Sequence, residues 1–196
     1  MFATFRSSSK LIKTCTVSNL YVKTIDYTTL DGSLLICSGS LDNTVRVWDI
    51  ENDTQIQPFN GHSHFVNCAK FSPYHYHNNR RNVTCSSSFD KTIRFWDIKD
   101  NKQLQVFNGH TGTVSDFSPL QSNSNNENNK SNNIGVIGGS GYTICSGSYD
   151  RTIHIWDIET TKKYIVLRGH GNWIMSVKYG LNELGNTILS GSMDKS

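Results

Sequence analysis

The sequence is poor in charge. Asp, Glu, Lys and Arg make up 18% of its 196 residues, and 19 basic against 16 acidic side chains leave a formal net charge of +3. So mild a balance excludes the concentrated basic field on which dedicated nucleic-acid and membrane-surface binders rely. No window approaches the roughly 18 consecutive apolar residues of a membrane span, and Met1–Lys10 lacks the apolar run of a secretory signal. Five cysteines, an odd number with no C-x-x-C pair, fit neither a disulfide framework nor a zinc site. A reducing compartment follows, the cytoplasm first and the nucleus as its alternative. What the chain does have is 36% hydrophobic and 11% aromatic residues, enough to bury a core in about one domain.

Internal repetition organises the rest. Cys37-Ser38-Gly39-Ser40-Leu41-Asp42-Asn43-Thr44-Val45-Arg46-Val47-Trp48-Asp49-Ile50 is nearly copied from Cys85 to Ile98 and again from Cys145 to Ile158. Trp48, Trp96 and Trp156 stand 48 and 60 residues apart, as do His62, His110 and His170, so extra length lies within a unit. Each unit reads as four short strands: an apolar alternation after Gly-His, the Cys-Ser-x-Ser run, the Thr-Val-Arg-Val-Trp run and a short run such as Gln103–Phe107. Between the second and third, Asp42, Asp90 and Asp150 supply tight-turn chemistry. A small antiparallel sheet cannot cover both of its faces, so neighbouring sheets must stack.

The Gly-His, Ser-Gly-Ser-x-Asp and Trp-Asp landmarks resemble the WD-repeat β-propeller family, over residues 11–196. The resemblance implies an all-β propeller whose units each tie their strands with a buried hydrogen-bond chain. Carried over by position, the sets are His62, Ser86, Asp90 and Trp96, then His110, Ser146, Asp150 and Trp156. The first unit keeps Ser38, Asp42 and Trp48 but has Val17-Ser18 where Gly-His should stand, and the fourth has His170, Ser190 and Asp194. The strand after His110 reads as two residues shorter than Phe65–Phe71, hence weakly pinned.

The expected architecture is an incomplete propeller of about three and a half four-stranded blades, with units near 17–59, 60–107, 108–167 and 168–196. Residues 1–9 are expected to be disordered, and residues 10–15 to form an orphan strand finishing an earlier blade. An open arc would expose blade faces and strand edges. A fragment of a longer product, two copies completing one ring, and a small ring closed by the orphan strand all remain open.

A His, a Ser and an Asp in one unit superficially resemble a nucleophilic triad, but a catalytic centre is normally built once and this set recurs. It reads as scaffold, and no enzyme activity, metal or cofactor is expected. Cys37, Cys85 and Cys145 share a repeat position with Leu189 and read as packing residues. His75-Tyr76-His77 with Arg80 and Arg81 reads as a solvated loop, 121–133 with its seven asparagines as a disordered insert, and the Gly-rich run 135–141 as a flexible loop.

A binding surface is what remains. Family resemblance places partner docking on the face lined by the residue before each turn Asp and by positions three and five past each His. Here these are Leu41, Phe89, Tyr149 and Met193, then Phe65, Asn67, Thr113, Ser115, Trp173 and Met175, with Tyr21 and Lys23 in the first unit. Aromatics and Met are the composition of protein–protein hot spots. The expected function is a non-catalytic scaffold or adaptor that binds a protein or peptide there. The alternative is an assembly subunit, a homodimer or larger, that completes a propeller with another chain.

Overall fold

The computed structural model describes residues 2–5, 11–15, 18, 20–30, 32–56, 58–119, 143–180 and 187–196. Two short strands, β1 (Phe2–Phe5) and β2 (Leu11–Cys15), pair with one another. Blade 1 follows as β3 (Val22–Leu30), β4 (Ser33–Ser40), β5 (Val45–Asp49) and β6 (Thr54–Gln55). Blade 2 comprises β7 (Val66–Phe71), β8 (Val83–Ser88), β9 (Thr92–Asp97) and β10 (Lys102–Asn108), with helix α1 (Pro73–Asn79) between its first two strands. Blade 3 comprises β11 (Val114–Pro119), β12 (Thr143–Ser148), β13 (Thr152–Asp157) and β14 (Lys163–Arg168). A last pair, β15 (Ile174–Tyr179) and β16 (Ile188–Ser192), opens a fourth blade. Every sheet is an antiparallel meander in chain order, and among the described residues none closes back on the first. This is an incomplete propeller. No helix among the described residues is long and apolar enough to cross a membrane.

The core lies between blades. Each sheet turns one face forward, with Cys37, Val45 and Val47 in blade 1 and Cys85, Ile93 and Phe95 in blade 2. The next sheet's backward face meets it: Val66, Ala69, Phe71 and Trp96 pack on blade 1, and Val114, Phe117, Ile144 and Trp156 pack on blade 2. Cys145 and Ile153 receive Ile174, Val177 and Tyr179 in the same way. Alternation along each strand sends successive side chains to opposite blades, so both faces are apolar and the strands read as nearly continuous buried runs. A ring from the end of each blade adds to the contact: Phe59, after β6, stacks on Trp96 at 5.6 Å, and Phe107 of β10 meets Trp156 edge-on at 5.7 Å.

Polar contacts lace the inner strands across these seams. Asp26 accepts from the Phe71 amide at 2.9 Å, and Lys70 donates to Asp116 at 2.9 Å and to the Phe117 carbonyl. Asp116 in turn accepts from the Val177 amide at 3.1 Å. Asn67 donates to the Val114 carbonyl at 2.9 Å.

Four expectations are corrected. Residues 2–5 are not disordered but form β1, where two phenylalanines and a threonine suit a strand. The strand near 10–15 is therefore paired rather than alone. β11 is six residues long, as β7 is: Val114 pairs with Ser148 as Val66 pairs with Ser88, and Pro119 ends it where Phe71 ends β7. Proline is tolerated there because a terminal position on an inner edge needs no ladder amide. The segment around His75 is not a solvated loop but α1, opened by Pro73 at its first turn, with His75 buried and bonded to Ser72 at 2.8 Å. Burial there pulls the His75 pKa down to about 4, with Arg81 adding to the effect. The insert at 121–133 and the Gly-rich run at 135–141 lie outside the described residues.

Candidate functional site

Each blade carries the same tight turn between its second and third strands. Asn43, Lys91, Arg151 and Lys195 all hold a left-handed backbone, with φ of 70°, 71°, 68° and 74°. The preceding aspartate stabilises that turn by accepting from the residue two ahead: Asp90 Oδ1 takes the Thr92 amide at 3.0 Å and its hydroxyl at 2.6 Å, and Asp150 takes both from Thr152.

The other carboxylate oxygen faces a histidine. Asp90 Oδ2 lies 2.7 Å from His62 Nδ1, whose Nε2 lies 2.8 Å from Ser86 Oγ, which accepts from Trp96 Nε1 at 2.9 Å. Blade 3 repeats the chain, with 2.8 Å from His110 to Asp150, 2.8 Å from His110 to Ser146 and 2.8 Å from Trp156 to Ser146. The carboxylate accepts, so Nδ1 carries the proton and Nε2 accepts from the serine hydroxyl. Burial alone would raise the Asp90 and Asp150 carboxyls. Hydrogen bonds from the histidine and from Thr92 or Thr152 outweigh it and hold both well below the ordinary carboxylate range. Burial holds His62 below its ordinary value, so the imidazole is neutral. This serine is saturated by a histidine and an indole and faces no cleft, and the same arrangement stands in two blades.

The flanking blades vary the theme. In the fourth, His170 bonds Asp194 at 2.9 Å and Ser190 at 2.8 Å, while Ser196 donates to Asp194 as Thr92 does to Asp90. In blade 1, Ser18 stands where the histidine would and donates to Asp42 Oδ2 at 2.7 Å. A serine is too short to reach inward as well, and the buried Ser38 Oγ has no hydrogen-bond partner. Arg46 adds an ion pair to Asp42 at 3.0 Å. The sequence sets Ser18 at the histidine's position; that it takes over the histidine's bond to the carboxylate is visible only in space.

Blade 3 has its own departure. His154 occupies the position of Arg46 and Arg94 and stacks on His110, with centroids 3.7 Å apart and planes 7° from parallel. Its Nδ1 is buried without a partner, and burial pulls its pKa down to about 3, with His110 adding to the effect. His110, Asp150 and His154 place ligand atoms within 4.8 Å of one another. Ring nitrogen lone pairs lie in the ring plane, however, and two parallel planes 3.7 Å apart converge on no shared ion. The group is a stacked pair. The thiols are packing groups too: burial pushes Cys68 and Cys145 up to about 12 and holds Cys37 and Cys85 well above the ordinary thiol value.

Around the turns runs a row of rings. His64 stacks on Phe89 at 5.3 Å, Phe65 meets Phe89 at 5.7 Å, Phe89 meets Tyr149 at 5.9 Å, and Tyr149 lies flat on Trp173 at 4.4 Å and 4°. Lys23 sits 5.2 Å over Phe89 and donates to Asn67 at 2.9 Å. The structure thus joins Lys23, Phe65, Asn67, Phe89, Tyr149 and Trp173 in one connected group spanning four blades. Met175 and Met193 are exposed beyond Trp173, whereas Tyr21 is exposed and Leu41 half-buried at the blade 1 end. Ser115 is turned to other use, bonding the Gly147 carbonyl at 2.9 Å and the Ile174 carbonyl at 2.5 Å.

Stacked meander sheets, a buried polar chain repeated at fixed offsets and a row of half-buried rings define an incomplete propeller of the repeat-scaffold class. The profile described as WD domain, G-beta repeat matches residues 9–49, 53–97, 101–157 and 161–196, and the chain belongs to that family. Each matched repeat begins with the last strand of the preceding blade, so β2 opens the first as β6, β10 and β14 open the others. Cell division control protein 4 of Saccharomyces cerevisiae is 34% identical over 171 residues, covering 83% of this chain and 20% of that protein. WD repeat-containing protein pop2 of Schizosaccharomyces pombe is 31% identical over 156 residues, 74% of this chain and 22% of that protein. WD repeat and SOCS box-containing protein 1 of Danio rerio matches at 46% over 44 residues, 22% of this chain and 10% of that protein. The chain spans about a fifth of the length of the two yeast proteins.

Proposed function

We propose that this chain is a non-catalytic interaction module that binds a protein or peptide across the row of rings. Family membership supports a scaffold role in general. The observation that carries the finer reading is the continuous contact from Phe65 through Phe89 and Tyr149 to Trp173. Three blades contribute rings that lean on one another rather than into the core, and methionines extend the apolar surface at one end. Rigid aromatics offer large contact area at low cost in side-chain entropy, the property of interface anchors. A face that is aromatic rather than cationic suits a peptide better than a phosphate backbone. Buried reduced thiols fit the cytoplasm or nucleus.

The test is selection of peptides from a random display library on the immobilised chain, followed by titration against variants. Tyr149→Ser and Trp173→Ser are expected to weaken the selected peptides at least about tenfold, whereas Lys99→Ala, on a remote exposed turn, leaves affinity unchanged. Equal binding by all three variants overturns the docking face.

A further inference from the structure

The turns at the two ends of the blades differ in charge. Those between third and fourth strands, at residues 50–53, 98–101 and 158–161, hold Glu51, Asp53, Asp100 and Glu159 against Lys99. The turns between second and third strands lie at the opposite end, beside the row of rings, and their acids are already engaged. Asp90, Asp150 and Asp194 each accept through one oxygen from a histidine and through the other from the hydroxyl two residues ahead, and Asp42 accepts in the same way from Ser18 and Thr44.

The cations on this side divide into two groups. Arg46 and Arg94 are spent within their own blades, paired with Asp42 at 3.0 Å and Asp90 at 3.6 Å and bonded to Thr44 and to Thr92 and Gln103. Lys91 and Arg151 are exposed and form no ion pair with a described residue. Each follows a ring of the row by two positions, Lys91 after Phe89 and Arg151 after Tyr149, with the engaged aspartate between them. Lys23, also exposed, lies 5.2 Å over Phe89 and bonds only the neutral Asn67. Rings and uncommitted cations therefore alternate along one face, one cation to each of blades 1, 2 and 3.

That spacing discriminates between anions. A phosphate gathers its charge on one group and is held best by several converging donors, forked guanidiniums above all. Here the guanidiniums of blades 1 and 2 are occupied, and the free charges stand singly between apolar rings. Separate carboxylates along an extended segment match such a row. We propose that the occupant of this face is an unphosphorylated acidic peptide, its apolar side chains seated on Phe89, Tyr149 and Trp173 and its Asp or Glu side chains meeting Lys23, Lys91 and Arg151. This rests on the docking face proposed above and names the chemistry of what it takes. The rings supply contact area, and the cations speed encounter and fix register. The acidic turns at the far end of the blades repel the same peptide from the wrong side.

Two display libraries with identical apolar positions, one carrying Asp and Glu between them and the other Asn and Gln, compete for the immobilised full chain. The acidic library is expected to be recovered at least about tenfold over the amide library, with the advantage shrinking as salt rises from about 0.05 to about 0.5 M. The double variant Lys91→Asn, Arg151→Asn removes both charges with a residue that blade 1 already carries in the same left-handed turn, at Asn43. It is expected to weaken a recovered acidic peptide at least about fivefold, and to leave the amide form of that peptide unchanged, which locates the loss in the charge contact. Exchange of one acidic residue for phosphoserine is expected to gain less than about threefold. Equal recovery of the two libraries, a double variant that binds the acidic peptide as the wild type does, or a phosphoserine gain of about tenfold or more overturns the proposal. If the recovered peptides still lose affinity in Trp173→Ser, the docking face stands while its acidic specificity falls. Peptides indifferent to Tyr149→Ser and Trp173→Ser overturn the face and this inference together.

Discussion

Blades 1 and 3 share register, turn and tryptophan position, yet their central serines meet opposite fates. Ser146 is held between His110 and Trp156, while Ser38, at the same place in its sheet, is buried with its hydroxyl unanswered. The difference traces to one residue, Ser18 against His110. An imidazole presents two nitrogens on opposite sides of a rigid ring and can bridge a turn carboxylate to a hydroxyl in the sheet. The shorter Ser18 links the carboxylate only as far as Ser40 at the end of β4, at 3.1 Å, and leaves Ser38 unreached. The fold survives because the apolar contact between blades 1 and 2 is intact, with Val66, Ala69, Phe71 and Trp96 covering blade 1. Packing specifies the arc, and the polar chain pins the turns.

The comparison can be broken hardest in blade 3. Ser146→Ala leaves His110 Nε2 and Trp156 Nε1 buried without a partner, and the expected loss is about 2–4 kcal/mol in urea unfolding. A loss below about 1 kcal/mol would show that the chain contributes little. A smaller effect is expected from pH. His154 is held at about 3 against an ordinary 6.5, so the unfolded chain takes up its proton first. Stability is full above pH 6.5 and declines as pH falls toward 3, with His75, at about 4, acting in the same direction. Below 3.8, protonation of Asp90 and Asp150 in the unfolded chain removes more. His154→Arg restores the residue of blades 1 and 2, and its urea midpoint is expected to fall less steeply between pH 7 and 4. Blade 1 can also be improved: Ser18→His supplies the missing bridge to Ser38, and about 1 kcal/mol of added stability is expected. Ser38→Ala deletes a hydroxyl that bonds nothing and is expected to change stability by less than about 0.5 kcal/mol, a null that makes the Ser146→Ala result interpretable.

Much of the fold was legible because the repeat writes each blade more than once. Four residues separate His62 from Val66, His110 from Val114 and His170 from Ile174, and that spacing alone sets the inner strands in register. Matching Phe117 to Phe71 instead gives the false impression of a shortened β11, since Phe117 lies at the place of Ala69. Residue size is a poorer guide to register than distance from a fixed turn. Helix α1 was missed because seven residues are too few to show a helical period. The residues of the row of rings were legible by position, but not their continuity, which depends on ring orientation across blades. The pairing of His110 with His154 had no signal at all, being a contact between a loop and a strand 44 residues apart in sequence.

The flat contact of Tyr149 with Trp173 gives the molecule an optical reporter. Three of its four tryptophans, Trp48, Trp96 and Trp156, sit at the repeat position, and the last two are buried beside polar donors and acceptors. Trp173 stands outside that set, half in solvent and against a phenol ring. Its emission is expected to be the red-shifted part of the spectrum, and a ligand that covers the row of rings is expected to dehydrate this indole. A blue shift on titration, lost in Trp173→Phe, reads occupancy of the face in solution without a label.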